Sequence, residues 1–298
     1  MEWAVLTLLA SLLWSVVVII DKYVSSKEVD DFIVTSVVSG FFSAITLMLI
    51  PLFTTSPFGV TPQVVFIGII TGMIYRFAST FYYAALKYGE ASVVDPLVNS
   101  QPLFVLVLSF FLFGEVFSPI KYLGIFLMIA GAISLSIEKS EDLLTKKKKF
   151  KFSKVFFFAI FAAAIYGLRT ILMKFGTMET DIWSLLFWVG VGIGITSWIL
   201  VSFHHPRLTK ENVKGIKHLG IGIIINTVAL ICYTKAVSLG PVTLVSTVML
   251  SELLFVFMIA TFLSFIFPRI MKEAIQKEDL ARKIIAIAIL VVGLLLIL

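Results

Sequence analysis

Charged residues are scarce in this chain. Lysine, arginine, aspartate and glutamate make up only 14% of its 298 residues, whereas hydrophobic residues make up 59%. A soluble domain carries about 25% charged and about half apolar residues, so this composition excludes an ordinary soluble protein. The mean hydropathy of +1.06 supports the same conclusion. The sequence therefore predicts an integral membrane protein, with the lipid bilayer as a partner along most of its length.

Cysteine and histidine are also scarce. The single cysteine, Cys232, excludes a disulfide framework. The three histidines, His204, His205 and His218, lie in or beside one loop and lack acidic or cysteine neighbours at metal-ligand spacing. No phosphate-binding glycine loop and no nucleophile motif occurs. We therefore expect no metal, no cofactor and no enzymatic activity.

Long apolar runs are what the chain has in abundance. A bilayer core about 30 Å thick needs roughly 20 apolar residues per helix, and the chain supplies about ten such runs. The runs do not alternate as the strands of a membrane barrel do, so the predicted fold class is all-α. The first run lacks a basic leader and is predicted to be a spanning helix. The predicted helices cover residues 3–20, 32–53, 64–87, 92–113, 119–137, 155–174, 182–203, 216–238, 242–267 and 282–298.

The two halves of the chain repeat each other. At a constant offset, seven residues match, namely Ala85, Gly89, Val94, Ser100, Leu103, Phe104 and Val105 with Ala236, Gly240, Val245, Ser251, Leu254, Phe255 and Val256. A hydrophilic segment separates five predicted helices from five. Because five is odd, the second unit enters from the opposite face, and the repeats are predicted to be inverted around a central cavity. The predicted organisation is a first repeat over 1–140, a basic linker over 141–154 and a second repeat over 155–298.

Basic residues cluster in the loops of one predicted face. The clusters lie within 146–154, 207–217 and 269–283, and they account for the net charge of +6 without any nucleic-acid partner. The positive-inside rule places these loops in the cytoplasm and both termini outside. The segment from Pro268 to Leu280 has no counterpart in the first repeat. It is predicted to form either an interfacial helix or a plain loop.

Four charged side chains are predicted at membrane depth: Arg76, Arg169, Glu252 and Asp95. Insertion of each costs about 2.5 to 3.5 kcal/mol, so each must face a partner or a wet cavity. The duplication does not repeat the two arginines, which points to a cargo-specific role. A guanidinium binds carboxylate or phosphate in a bidentate manner. An internal ion pair with Glu252 or Asp95 is the open alternative, and Glu252 is the candidate for proton coupling.

Aromatic and amide side chains complete the predicted substrate site. They recur at helical spacing near the buried charges, which gives several helices one polar face. Aromatic faces stack on a guanidinium or on a ligand. Helix packing is the alternative reason for such polar faces. Besides the two arginines, the predicted binding residues are Trp14, Tyr75, Tyr83, Asn99, Tyr166, Asn226 and Tyr233.

One stretch resembles a known family. Residues 85–135, ALKYGEASVVDPLVNSQPLFVLVLSFFLFGEVFSPIKYLGIFLMIAGAISL, are similar to the EamA-type repeat of the drug/metabolite transporter superfamily, including its Gly114-Glu115 pair. The second half departs from the pattern at Ile266, where glutamate is expected. The resemblance implies a ten-helix carrier with inverted repeats that moves a small metabolite through a central cavity.

The predicted function is therefore secondary transport by alternating access. The predicted cargo is a small organic solute, either an amino acid or another anionic or zwitterionic metabolite. Two other classes stay open, namely an embedded transferase in which Arg76 holds a lipid phosphate, and a channel or scaffold. The residues identify neither the exact solute nor the coupling ion. They leave the oligomeric state open, with a monomer as one alternative.

Overall fold

The computed structural model describes residues 1–27, 32–54, 57–88, 91–136, 146–204, 212–266 and 277–298. In these ranges the chain forms twelve α-helices, one short 3-10 helix and no strand. The first half contains α1 (Glu2–Lys27), α2 (Phe32–Thr54), α3 (Pro62–Tyr88), α4 (Ala91–Val98), α5 (Gln101–Phe113) and α6 (Pro119–Ser136). The second half contains α7 (Lys146–Glu179), α8 (Ile182–His204), α9 (Asn212–Leu239), α10 (Val242–Val248), α11 (Ser251–Ile266) and α12 (Lys277–Ile297).

Six helical segments of the described chain are long and apolar enough to cross a membrane. They are Glu2–Ile20, Pro62–Tyr82, Lys154–Glu179, Ile182–Phe203, Gly220–Leu239 and Val242–Ser264. Three shorter apolar helices accompany them, Val37–Phe53, Gln101–Phe113 and Pro119–Leu135. The prediction of an all-α, multi-pass membrane protein is thus confirmed. The count of ten spans stays a prediction.

Two helices predicted as continuous are each broken. The run predicted over 92–113 forms α4 and α5 with a turn at residues 99–100, and the run predicted over 242–267 forms α10 and α11 with a turn at residues 249–250. The two breaks fall at nearly equivalent positions of the repeat, because Ser100 corresponds to Ser251. The first break falls between Pro96 and Pro102, where proline disfavours a continuous helix, whereas the second break was not predicted.

At each break the backbone tightens from i→i−4 to i→i−3 hydrogen bonds. The amide of Ser100 donates to Leu97 O at 3.2 Å, and that of Leu250 donates to Thr247 O at 3.0 Å. Pro102 lies in the first turn of α5, where its missing N–H is tolerated. The second break has no proline at the equivalent position, Leu253, so it forms without that constraint.

Helices of the two halves pair in a repeated pattern. α1 packs along α9, and its counterpart α7 packs along α3, while α2 lies against α8 and α6 against α12. The central core draws on both halves, with Leu47, Leu186 and Val245 among its buried residues. A second core between α6 and α12 contains Met128 and Leu290. Each of the twelve helices in the described ranges contacts at least one helix of the other half.

The crossing of α3 and α8 depends on glycine. A Cβ at Gly72 would overlap the carbonyl oxygen of Val189, and a Cβ at Gly192 would overlap the carbonyl oxygen of Ile69. The two backbones therefore touch. Only residues without a side chain allow two helices to approach so closely in lipid.

The turn between α9 and α10 is held by side chains from other helices. The carboxylate of Glu115 accepts hydrogen bonds from the amides of Val242 at 2.6 Å and Thr243 at 3.1 Å. The ammonium of Lys174 donates to the carbonyls of Val237 at 2.8 Å and Gly240 at 2.9 Å. Acceptor groups thus cap the start of α10, and donors cap the end of α9. All seven residues of α10 are buried.

Gly114 aims Glu115 at this turn. It ends α5 in the left-handed conformation, with φ of 65°, and its amide donates to Ser109 O. A non-glycine residue rarely adopts this conformation. The Gly-Glu pair that the sequence shares with the EamA-type repeat therefore has a structural role in this chain.

Two other predictions concern the connecting segments. The basic linker over 141–154 stays a prediction, and the structure adds that residues 146–154 are helical, because α7 already begins at Lys146. The remaining linker residues lie outside the described chain. Most of the segment from Pro268 to Leu280 also lies outside it, and α12 begins at Lys277.

Candidate functional site

Two cavities are lined by residues of both halves. The first, named here the Arg169 cavity, has a volume of about 160 Å³, and its polar lining is Trp14, Asn99, Gln101, Arg169, Tyr233, Ser246 and Glu252. The second, named the Arg76 cavity, has a volume of about 170 Å³, and its polar lining is Ser39, Ser43, Tyr75, Arg76, Ser79, Tyr82, Tyr166 and Asn226. Each volume far exceeds the ~30 Å³ that one water occupies in the liquid.

Both helix breaks border the Arg169 cavity. Asn99 and Gln101 line it from the first break, and Met249 and Leu250 line it from the second. A broken helix leaves backbone groups without intrahelical partners. At membrane depth such groups are tolerated where they line a cavity or are buried in protein. The two helix breaks therefore form part of the wall of the Arg169 cavity.

The Arg169 guanidinium is held by two tyrosine rings. Its Cζ lies 4.8 Å from the ring centroid of Tyr75 and 5.7 Å from that of Tyr233. Only 7% of the residue is exposed, and its Nε donates no hydrogen bond within the described chain. Stacking orients a guanidinium while leaving its N–H edges available. Arg169 is thus positioned to bind an acceptor in the cavity.

A chain of hydrogen bonds fixes the Tyr233 ring. Gln101 Nε2 donates to Thr170 Oγ1 at 3.1 Å, and Thr170 Oγ1 lies 3.1 Å from the Tyr233 hydroxyl. Tyr233 also packs on Trp14, with 5.4 Å between ring centroids. Gln101 was not among the predicted site residues, although it stands beside Pro102 at the first helix break.

Glu252 supplies the acid of the Arg169 cavity. It is the second residue of α11 and is partly buried. It lies close enough to Asp95 on α4 for their charges to interact. Asp95 accepts a hydrogen bond from the Tyr82 hydroxyl at 2.9 Å. Within the described chain no ion pair joins Glu252 to Arg169, although both line the same cavity.

The Arg76 cavity has a different chemical character. Arg76 is 6% exposed, and the cavity around it is lined by hydroxyl groups and one amide. A Cβ at Gly40 would lie 3.2 Å from both the Cζ and the Nη2 of Arg76, so the guanidinium rests against the backbone of α2. Ser79 Oγ and the Tyr166 hydroxyl lie 3.1 Å apart. These contacts hold a buried cation beside hydrogen-bond donors.

A thin layer of side chains separates the two cavities. Trp14, which lines the Arg169 cavity, donates from Nε1 to Oδ1 of Asn226, which lines the Arg76 cavity, at 2.7 Å. Tyr75 lines the Arg76 cavity and stacks on Arg169. The layer formed by Trp14, Asn226, Tyr75 and Arg169 is called the partition below.

The structure distributes the predicted binding residues over both cavities. Those in the Arg169 cavity are Trp14, Asn99, Arg169, Tyr233 and Glu252, and those in the Arg76 cavity are Tyr75, Arg76, Tyr166 and Asn226. The side chain of Tyr83 lies outside the described part of the structure. Among the described residues, no group of three or more His, Cys, Asp or Glu residues is placed to hold a metal ion.

Comparison with protein families identifies the first half. Residues 1–137 match the model of the EamA-like transporter family. This half belongs to that family. The family is part of the drug/metabolite transporter superfamily, which confirms the resemblance read from residues 85–135. The EamA-like half corresponds to α1 through α6, and it carries the Gly114-Glu115 pair.

A solved structure extends the likeness to the whole chain. One crystal structure, described only as that of a protein, superposes with a TM-score of 0.75 at 18% sequence identity, and the match covers 99% of this chain and 95% of that one. At this identity the likeness shows a shared fold, which includes the second half beyond the EamA-like match. No curated protein matches the sequence.

Proposed function

We propose that this EamA-like protein is a secondary transporter that carries a small zwitterionic solute, of the size of an amino acid, through the Arg169 cavity. The proposal depends on one observation: a buried guanidinium and a carboxyl group line the same cavity without an ion pair between them. Buried charges are costly unless they are compensated. A solute with one carboxylate and one ammonium group would compensate both.

The carboxylate of the solute is assigned to Arg169. The guanidinium offers parallel N–H donors that match the two oxygens of a carboxylate. The Tyr75 and Tyr233 rings hold its plane, so little side-chain entropy is lost on binding. Trp14 and Leu253, also in the lining, provide apolar contact for the remainder of the solute.

The ammonium of the solute is assigned to Glu252, which we also propose as the proton carrier. Glu252 lies in the first turn of α11, beside the second helix break. Discontinuous helices at the midplane commonly bind substrate and coupling ion in transporters with repeated halves. The paired helices and the two equivalent breaks support an inverted pair of repeats that rocks about this site.

A carrier fits the cavities better than a channel. A channel needs a continuous polar path, whereas the partition divides the polar space into two. Members of the EamA family are transporters rather than enzymes. These points support alternating access, with the partition opening as the halves rearrange.

The test uses the purified full chain in liposomes. Counterflow of labelled alanine should be measured against that of labelled propionate, which has the carboxylate but no ammonium. Arg169→Lys keeps the charge and loses the fork, so we expect the apparent affinity for alanine to fall about tenfold. Arg282→Lys is the matched control, since Arg282 lines neither cavity and donates to Ser134 O.

Glu252→Gln tests the other end of the solute. We expect the preference for alanine over propionate to disappear and uptake driven by a pH gradient to be lost, while exchange remains measurable. Alanine counterflow with wild-type affinity in both variants would contradict the proposal.

A further inference from the structure

We propose that the turn between α9 and α10, together with the two charged side chains that hold it, is the gate that closes the Arg169 cavity towards one face of the membrane. This group is named the Lys174 gate and comprises Lys174, Glu115 and residues 237–243. Its role rests on the proposed alternating access, in which a binding site opens to one face at a time. It is independent of which solute the Arg169 cavity carries.

The Lys174 gate lies close to the Arg169 cavity. Three helices each carry one residue of the cavity wall and one residue of the gate, four or five positions apart: Arg169 and Lys174 on α7, Tyr233 and Val237 on α9, and Ser246 and Val242 on α10. A helix rises about 1.5 Å per residue, so about 6 to 8 Å of helix separates the cavity wall from the gate.

Buried side chains occupy the layer between the cavity and the gate. Val237, Val242 and Val245 belong to the central core, and each is 0% exposed. The hydroxyls of Ser109 and Thr243 are hydrogen-bonded between α5 and α10 in the same buried layer. A solute that leaves the cavity towards this face must displace these side chains.

The Arg76 cavity lies on the other side of the Arg169 cavity. Along α9, Asn226 lines the Arg76 cavity, Tyr233 lines the Arg169 cavity, and Val237 belongs to the gate. Along α1 the order is the same, from Val17 at the Arg76 cavity to Trp3, which packs against the turn of the gate. The cavities therefore follow one another away from the gate, and the structure is closed at the gate.

The gate contains contacts that a movement of the two halves would break. Glu115 lies between α5 and α6 of the first half, whereas the amides of Val242 and Thr243 belong to the second half. Lys174 joins α7 to the end of α9 through two carbonyls. Hydrogen bonds with one charged partner are stronger than neutral ones. Rocking of one half against the other must break those of Glu115 before this face can open.

The sequence does not repeat the acid of the gate. Under the predicted repeat, Lys22 corresponds to Lys174, but Ile266 stands at the position that corresponds to Glu115. An isoleucine side chain has no oxygen that could accept hydrogen bonds from amides. The gate face is therefore the more firmly closed of the two without solute, and the Arg169 cavity is reached from the opposite face.

The experiment measures the face from which the Arg169 cavity can be reached, with the full chain in sealed, oriented membrane vesicles. Cys232→Ser removes the single cysteine, and Ser246→Cys places a thiol at the cavity wall. A membrane-impermeant thiol reagent is then added from either side. Labelling of a separate Gly59→Cys variant identifies the gate face, because the connection between α2 and α3 lies there. We expect the thiol introduced by Ser246→Cys to react faster from the opposite face.

Lys174→Met tests the gate itself, because it removes both hydrogen bonds of the ammonium. We expect labelling from the gate face to rise about tenfold, the shift that follows loss of one hydrogen bond to a charged group, and labelling from the opposite face not to rise. Lys235→Met is the matched control, since Lys235 is an exposed lysine near the same end of α9, and it should change neither rate.

A second variant covers a failure of Lys174→Met to fold. Glu115→Gln keeps the shape of the side chain but retains only one acceptor oxygen for the two amides. It should also raise labelling from the gate face and leave labelling from the opposite face unchanged.

The outcomes separate the gate from the proposed solute. Equal labelling from both faces with the gate intact overturns the proposal. Rates that the gate variants leave unchanged, or that rise equally from both faces as in a loosened fold, also overturn it. Labelling requires no solute, so an absence of alanine counterflow would overturn the proposed solute without altering this result.

Discussion

The crossing of α3 with α8 corresponds to the crossing of α2 with α9 under the predicted repeat, in which α9 matches α3 and α8 matches α2. In the first copy, Gly72 and Gly192 let the backbones touch. The repeat alignment, with Tyr82 on Tyr233 and Gly40 on Gly190, places Ile223 and Phe42 at the corresponding positions of the second copy. Bulky residues thus stand at the positions that correspond to the two glycines, and of these Ile223 is buried whereas Phe42 is 44% exposed.

The second crossing is joined by side chains instead of backbones. Thr46 Oγ1 and Thr227 Oγ1 lie 2.9 Å apart between α2 and α9. The Arg76 cavity lies beside this crossing and is lined from α2 by Ser39 and Ser43 and from α9 by Asn226. The comparison teaches that the two crossings have diverged, and that the Arg76 cavity lies beside the one that lacks the paired glycines.

The largest loss of stability is expected from a substitution that separates α3 from α8. Gly72→Ala places a Cβ on the backbone of α8, 2.8 Å from the Ile193 amide nitrogen, so the helices must separate. Overpacking of this kind costs about 3 kcal/mol. We expect a clear fall in the melting temperature of the detergent-purified protein.

Gly194→Ala is the control for that change. Gly194 lies on α8, the other helix of this crossing, but its Cβ would meet only Ala44 Cβ at an ordinary 3.4 Å. Equal melting temperatures for the Gly72 and Gly194 variants would show that backbone contact does not hold the first crossing.

The next largest loss of stability is expected at α10. This short helix and its counterpart α4 differ in how their first turn is capped. Glu115 caps α10, whereas Ile266 stands at the repeat position that would cap α4. Glu115→Ala leaves the amides of Val242 and Thr243 without their acceptor, at a cost of about 2 kcal/mol. Glu179→Ala, at an exposed position on α7, should leave thermal unfolding unchanged. Wild-type stability in Glu115→Ala would mean that α10 is held by burial alone.

A smaller effect is expected at the start of α8. Burial tends to raise the pKa of the Asp181 carboxyl. The carboxyl accepts hydrogen bonds from the Ser184 hydroxyl at 2.6 Å, the Ser184 amide at 3.1 Å and the Trp183 amide at 2.9 Å. These hydrogen bonds outweigh burial, so the pKa lies below its ordinary value. Loss of such a cap in Asp181→Ala costs about 1 kcal/mol.

The pH dependence of this cap follows from the sign of the shift. Because the folded-state pKa is depressed, the stabilisation is fully present above the ordinary value near 4 and is lost as the pH falls through the folded-state value. Melting curves of wild type and Asp181→Ala should therefore differ at pH 7 and converge in strong acid. A constant difference across this range would exclude the ionised cap.

The smallest effect is at the loose crossing. Thr227→Val removes the hydroxyl pair with Thr46, and such hydrogen bonds in membrane proteins are worth about 0.6 kcal/mol. Ser202→Ala on the exposed end of α8 is a control for loss of a helix hydroxyl. A loss as large as that of Gly72→Ala would show that the two crossings contribute equally after all.

The spanning helices could be predicted because apolar length is a local property of the chain. The breaks could not be predicted equally well. Pro96 and Pro102 are a local signal of the break in the first half. The turn at Met249 has no such signal, and it packs against the central core, whose residues come from other helices. A break that depends on tertiary contacts leaves no mark in the periodicity.

The candidate site was predicted by residue type and not by grouping. The cost of burying charge singled out four residues. Arg76, Arg169 and Glu252 line a cavity, whereas Asp95 lines neither of the two. The sequence could not separate them into two cavities, because the partition is formed by residues that lie far apart along the chain, such as Trp14 and Asn226. Gln101 was missed because an amide beside a proline has no distinctive cost.

The Gly114-Glu115 pair has a consequence for how this chain can change over generations. The left-handed turn at Gly114 is what carries the Glu115 carboxylate to the amides of Val242 and Thr243. A substitution at the glycine would misdirect the carboxylate and so produce the same defect as loss of the acid. We therefore expect the exchange of either residue alone to weaken the cap of α10, so a helix in the second half constrains both residues together.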